Sequence, residues 1–194
     1  MVVGGSAGGF QALAELLRAL PEDFPAAIFV ALHASPDHRG ALPKGLVRAS
    51  ALPVRRACEA MPIEPGTVTL APADAHLLIG AHHVHLRRGP RENGFRPAID
   101  PLFRSAAVYR GSRALGVVLS GLLDDGAAGA RALDRVGARV LVQSPDSADF
   151  DAMPRATAAL VPRAEALAHA LRGAPGAPRP CGAPSRHGGA CAWA

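Results

Sequence analysis

Cysteine is scarce in this 194-residue chain. Cys58, Cys181 and Cys191 are all it has, and three cysteines make no disulfide framework. A reducing compartment, the cytoplasm, is the expected setting. Aromatic residues are only 4% of the chain. Without a stacking platform or a recognition motif, nucleic acid is not an expected partner. Lysine is nearly absent: Lys44 stands alone, arginine carries the rest of the positive charge, and the net charge is +5. That balance permits an acidic partner. Long apolar runs are also missing. No stretch reaches the ~20 residues needed to cross a bilayer, and Gly4, Gly5, Gly8 and Gly9 interrupt any secretory core at the start. The chain is expected to be soluble, with no direct membrane insertion.

What is present is punctuation by glycine and alanine between short apolar runs. Residues 173–194 are almost all Gly, Ala, Pro and small polar groups. Such a composition cannot offset its ordering entropy, so a disordered tail is expected after a folded domain of residues 1–172. Within the domain, strands are expected at Met1–Val3, Ala26–Leu32, Val54–Ala57, Val68–Leu70, Leu115–Leu119 and Arg139–Val142. Leu77–Ile79 and Val84–Leu86 read as a hairpin. Apolar residues at 10, 13, 16, 17 and 20 give helical spacing over Phe10–Leu20. Further helices are expected at Pro101–Tyr109 with Asp100 as N-cap, at Ala127–Val136, and at Pro162–Leu171. The alternation of strand and helix predicts an α/β fold. Its sheet is doubly wound and mostly parallel, with helices on both faces and one small β-hairpin.

The first strand runs into Gly4-Gly5-Ser6-Ala7-Gly8. A dinucleotide fingerprint needs glycine where this turn has Ser6, and the next strand ends in Leu32-His33 rather than an acid. No Lys-Ser/Thr pair follows, which excludes a P-loop. The segment does satisfy G-x-S-x-G, a turn that lifts a serine oxygen at the start of a helix whose N–H groups can meet an oxyanion. Close packing alone would also account for it. His33 ends the second strand, and Leu115–Leu119 runs into a loop carrying Asp124 and Asp125. In a parallel sheet these strand ends share one edge. Each residue also has a plainer reading: a capping histidine before Ser35-Pro36-Asp37, and an aspartate capping the next helix. Nucleophile, base and acid at three strand ends are together best read as a catalytic triad.

The segments VVGGSAGG, ALHASPDHRGALP, EAMPIEPGTVTLAPADAHL, RPAIDPLFRSAA, GVVLSGLLDDGAAGARAL and DFDAMPRAT occur in this order. Together they resemble the catalytic domain of CheB-type chemotaxis protein-glutamate methylesterases. The resemblance implies hydrolysis of glutamate γ-methyl esters on chemoreceptor helices, with deamidation of glutamines in many members. Its serine matches Ser6, its histidine matches His33, and its aspartate, the one before glycine, matches Asp125 rather than Asp124. It implies oxyanion donors in the Ser6–Gly9 turn and the Gly121–Leu123 loop. The partners it implies are methylated chemoreceptor cytoplasmic helices or a related signalling protein. Where the family pattern often has glycine, this chain has Leu123. The receiver domain that usually precedes the family's catalytic domain is not among these residues, so a different regulation is expected.

No cofactor or metal site is expected. His82, His83 and His85 lie in the hairpin with no acidic or cysteine partner in sequence, and Cys181, His187 and Cys191 lie in the tail. His76 is read as structural or groove-lining. Arg87, Arg88, Arg91, Arg96 and Arg104 are either solvated or turned toward an acidic receptor. Two rival readings follow from the same residues: a catalytically weak scaffold that binds receptor helices, and a nucleotide-binding α/β protein.

Overall fold

A computed structural model describes residues 1–33 and 44–167. The tail expected at 173–194 lies outside the described residues, as does the end of the last expected helix. The elements are β1 (Val2–Gly5), α1 (Gly9–Ala19), β2 (Ile28–Leu32), α2 (Lys44–Ala49), β3 (Val54–Arg56), β4 (Val68–Leu70), β5 (His76–Ile79) and β6 (Val84–Arg87). They continue with α3 (Ile99–Arg110), β7 (Leu115–Val118), α4 (Ala127–Arg135), β8 (Arg139–Gln143), α5 (Ala152–Leu160) and β9 (Glu165–Leu167).

Seven strands form one sheet in the order β3-β4-β2-β1-β7-β8-β9. Every pairing in it is parallel. β5 and β6 form the separate antiparallel hairpin. The sheet strands are apolar on successive residues because both faces are covered. Val2, Phe29, Ala31 and Val118 pack under α3, α4 and α5. Their neighbours Val3, Ile28, Val30 and Val117 pack under α1 and α2 on the other face. The two-residue alternation of strands thus splits one apolar run into two cores.

β1 is the central strand, with β2 on one side and β7 on the other. It runs two residues past the expected end, through Gly4 and Gly5, because both glycines pair in parallel with Ala31 and Leu32 of β2. The carboxyl ends of β1, β2 and β7 therefore meet on one edge. The sheet order reverses there, which is where parallel α/β folds place their sites.

The expected helix over Pro162–Leu171 is a correction. Glu165–Leu167 is instead strand β9, in parallel register with Leu141–Gln143 of β8. The segment has good helix formers, but β8 would otherwise present an open edge, and pairing satisfies it. An ion pair between Arg139 and Glu165 at 2.8 Å lies across that pairing. Helices α2 and α5 were not expected. α2 has only six residues, and α5 begins beside Met153 and Pro154, both buried.

Candidate active site

β1 ends in a sharp turn. Gly8 sits at φ +73°, and a Cβ there would come within 2.6 Å of Ser120 Oγ, so only glycine fits the turn without strain. α1 starts at the next residue, with its N-terminal end toward Ser6. Ser6 N–H donates to Ser120 O at 2.9 Å, and His33 N–H donates to Gly5 O at 3.1 Å. Main-chain bonds thus fix the serine and the histidine on adjacent strand ends. The Ser120 hydroxyl donates to Ala7 O at 2.8 Å and accepts from Phe150 N–H at 3.0 Å, which ties the turn to the loop after β7. That loop comes close: a Cβ on Gly121 would lie 2.9 Å from Ser6 Cβ.

The three expected residues come together. Ser6 Oγ is 3.1 Å from His33 Nδ1, and His33 Nε2 is 2.7 Å from Asp125 Oδ2. The carboxylate accepts from Nε2–H, so Nδ1 is the free acceptor for the serine O–H. The His33 and Asp125 side chains are 4% and 0% exposed. Asp124 is not part of the cluster; its carbonyl accepts from Ala127 N–H at 3.0 Å.

Asp125 is held by four donors. Oδ2 also accepts from Ile99 N–H at 2.7 Å, while Oδ1 accepts from Asp100 N–H at 3.1 Å and from Asn93 Nδ2 at 2.7 Å. Burial alone would push its pKa up. The bonds from His33, Ile99 N–H, Asn93 and Asp100 N–H outweigh burial and hold the carboxyl below its ordinary value. Two of these donors are first-turn amides of α3, so Asp125 also serves as that helix's cap from outside.

Asp100 returns the arrangement. It is not its own helix's N-cap, a position held by Ala98. Asp100 Oδ1 accepts from Gly126 N–H at 3.0 Å and Gly129 N–H at 2.7 Å, the amides that open α4. Asp125 caps α3 and Asp100 caps α4, and Asn93 donates to both carboxylates. Burial holds the Asp100 carboxyl above its ordinary value, with the nearby Asp125 charge adding to this, despite the bonds from Gly129 N–H and Asn93.

Among the expected oxyanion donors, Ser6, Gly9 and Gly121 spend their N–H groups on Ser120 O, Ser6 O and Phe150 O. The N–H groups of Ala7, Gly8, Leu122 and Leu123 have no acceptor among the described residues. Leu123 takes φ +64°, the left-handed region, and is 63% exposed. The loop thus keeps a backbone that glycine would adopt freely.

Other expectations resolve outside this cluster. His76 is buried and structural: Nε2–H donates to Pro90 O at 2.9 Å, and Nδ1 accepts from Ala98 N–H at 3.2 Å. His85 does have an acidic partner, Glu59, at 3.1 Å, which sequence order hid because the two are 26 residues apart. Among the described residues no three metal-binding side chains gather. Arg87, Arg96 and Arg104 pair with Glu59, Asp74 and Glu92. Asn93, Phe95, Asp100 and Ser120 were missed as site residues. The one sequence signal near them was the Asn93-Gly94 dipeptide, a strong mark of a tight turn.

A serine presented at a strand-to-helix turn and joined through histidine to a buried aspartate has the geometry found in serine hydrolase sites. The CheB methylesterase family model matches residues 1–170. The chain is 42% identical over 160 residues to a protein-glutamate methylesterase/protein-glutamine glutaminase of Myxococcus xanthus, covering 80% of this chain and 46% of that one. A Methanosarcina acetivorans protein of the same name is 38% identical over 162 residues, covering 79% and 46%. The Thermotoga maritima CheB methylesterase catalytic domain superposes with a TM-score of 0.81 at 30% identity, over 85% of this chain and 89% of that one. The chain belongs to the CheB methylesterase family. It spans about half the length of the curated relatives it matches.

Proposed function

We propose that this chain is a serine hydrolase that cleaves glutamate γ-methyl esters on chemoreceptor cytoplasmic helices, with deamidation of receptor glutamines as a second reaction. Ser6, His33 and Asp125 are its catalytic residues. The observation that carries this is the unbroken chain of hydrogen bonds from Ser6 Oγ through both imidazole nitrogens to Asp125.

In this reading His33 Nδ1 takes the Ser6 proton as Oγ attacks the ester carbonyl. The oxyanion is met by main-chain N–H groups, with Ala7, Gly8, Leu122 and Leu123 as candidates. His33 then gives its proton to the leaving methoxide, and methanol departs. A water deprotonated by Nδ1 attacks the acyl-serine, and the glutamate and Ser6 O–H are released. With glutamine, ammonia takes the place of methanol. Asp125 fixes the Nε2–H tautomer and stabilises the imidazolium at each transfer. No helix among the described residues is long and apolar enough to cross a membrane. The setting we propose is the cytoplasm.

The test is methanol release from a methylated receptor fragment by the wild type and Ser6→Ala. Release by the wild type, with loss of at least ~1,000-fold in a folded mutant, supports the reading. Equal release by both would remove Ser6 from the mechanism.

A further inference from the structure

We propose that the turn Glu92–Phe95 is a positioning device for the triad, in which Asn93 aims Asp125 and Phe95 holds the plane of His33. This rests on the triad reading and adds two positioning residues to it.

The turn is specified by its own residues. Asn93 and Gly94 both have positive φ, +51° and +83°. Glu92 and Phe95 exchange main-chain bonds, Phe95 N–H to Glu92 O at 2.8 Å and Glu92 N–H to Phe95 O at 3.1 Å. This is the two-residue hairpin loop that Asn-Gly favours. Its base is anchored on several sides. Arg96 donates to Asp74 Oδ1 at 2.9 and 2.6 Å and to Gly89 O at 2.7 Å. His76 holds Pro90 O and Ala98 N–H, and Arg104 pairs with Glu92.

So much fixation serves little if the turn only closes a loop, but its two flanking side chains both reach the site. The Asn93 amide donates one hydrogen to Asp100 Oδ2 at 2.9 Å and the other to Asp125 Oδ1 at 2.7 Å. An NH₂ group has two hydrogens, and both are spent on buried carboxylates. Asn93 thus spans two carboxylates that would otherwise repel, and among the described residues it is the one side chain that donates to Oδ1, the Asp125 oxygen turned away from His33. Phe95 lies flat on the imidazole, with ring centroids 3.6 Å apart and planes 10° from parallel. The terminal torsion of histidine is broad. With a ring against its face, the imidazole keeps Nδ1 and Nε2 in the plane that joins Ser6 to Asp125.

The groups facing Asp125 are His33 from the end of β2, Asn93 from the turn, and the Ile99 and Asp100 amides of α3. Those facing Asp100 are the Gly126 and Gly129 amides, Asn93, Asp125 and, by charge, Arg104. Removing the Asn93 donor withdraws support from both anions. The pair then keeps a proton to higher pH, and the acid limb of activity moves up.

The experiment measures kcat and KM on the methylated receptor fragment from pH 4 to 9, with fluorophosphonate labelling of Ser6 and the ¹H-NMR signal of His33 Nε2–H. Asn93→Gly keeps the turn's backbone and removes the amide. It should lower kcat about ten- to a hundredfold with KM unchanged, and raise the pH of the acid limb. Phe95→Leu should lower kcat roughly three- to tenfold, and Phe95→Tyr should restore it. Both losing variants should exchange the Nε2 proton faster than the wild type, a readout that needs no turnover. Wild-type kcat, acid limb and Nε2–H exchange in Asn93→Gly and Phe95→Leu would overturn the proposal while leaving the triad standing. So would loss confined to KM, or a Phe95→Tyr that fails to recover. A wild type that neither labels at Ser6 nor releases methanol would instead overturn the triad reading, and the Nε2–H exchange would then decide the positioning claim alone.

Discussion

Among the described residues two histidine–carboxylate pairs occur, one at the carboxyl edge of the sheet and one on the hairpin. At the edge, His33 and Asp125 are almost wholly buried at 2.7 Å. On the hairpin, His85 and Glu59 meet at 3.1 Å with 41% and 52% of their side chains exposed. Both carboxylates also accept main-chain N–H and a further side-chain donor, Asp125 from the Ile99 and Asp100 amides and from Asn93. Glu59 takes Leu86 N–H at 2.6 Å and Arg87 at 3.2 Å. Those bonds, led by Leu86 N–H, draw its pKa down to about 2. The donor sets are alike, yet the consequences differ. Water screens the hairpin pair and can replace any partner that leaves. At the edge no water can substitute, so each donor fixes geometry, and a lost donor leaves a buried charge uncompensated.

That contrast sets the expected size of each perturbation. Asp125→Asn should lower kcat by about 10⁴-fold, because the amide cannot hold the Nε2–H tautomer; steady-state kinetics with the folded variant check this. The next effect is on acid stability. Both carboxylates sit below their ordinary values, 3.8 for Asp125 and 4.5 for Glu59. Each therefore adds stability that is complete above its ordinary value and is lost as the pH falls toward its folded value. Asp100 has the opposite sign: held above its ordinary 3.8, it adds stability below that value, which is lost as pH rises through its folded value. A thermal melt series from pH 7 to 3 should show a shallower acid decline for Asp125→Asn than for wild type, and little change in slope for Glu59→Gln. Parallel curves for Asp125→Asn and wild type would break the comparison.

Ser120→Ala should come next. It leaves Phe150 N–H without its acceptor and Ala7 O without its donor, at a cost of about 1–3 kcal/mol. The melting temperature should fall by several degrees, with a smaller loss of kcat than Asp125→Asn. Glu59→Gln should be smallest: kcat unchanged and a melting temperature within about a degree of wild type. A large loss of activity there would mean that the hairpin is coupled to the site.

The convergence of Ser6, His33 and Asp125 was legible because each follows a strand of one parallel sheet, Ser6 and His33 directly after β1 and β2 and Asp125 in the loop between β7 and α4. Parallel pairing of β1 with β2 and β7 sets those strand ends side by side, and the loop after β7 carries Asp125 the rest of the way to His33. Asn93 and Phe95 were not legible as site residues. Their turn has a strong local signal, but Asn93 meets Asp125 across 32 residues through loops of no fixed period. Asp100 was read as a cap and is one, but of α4 rather than α3, since capping across helices leaves no local spacing to read. The expected helix at Pro162–Leu171 failed because an open strand edge outweighs helix propensity in a short segment. Leu123 stands where glycine would be easier, and the backbone keeps the glycine-like turn, at a cost of about 1–2 kcal/mol.

The orientation of the His33 ring has a consequence for chemical probes. In the usual serine-protease arrangement Nε2 faces the nucleophile and Nδ1 faces the acid; here Nδ1 faces Ser6 and Nε2 faces Asp125. A haloketone seated over Ser6 would therefore alkylate the nitrogen nearer the backbone. Peptide mapping would find the Nδ1-substituted isomer of histidine, and reagents shaped to deliver an electrophile to Nε2 would pass the site by.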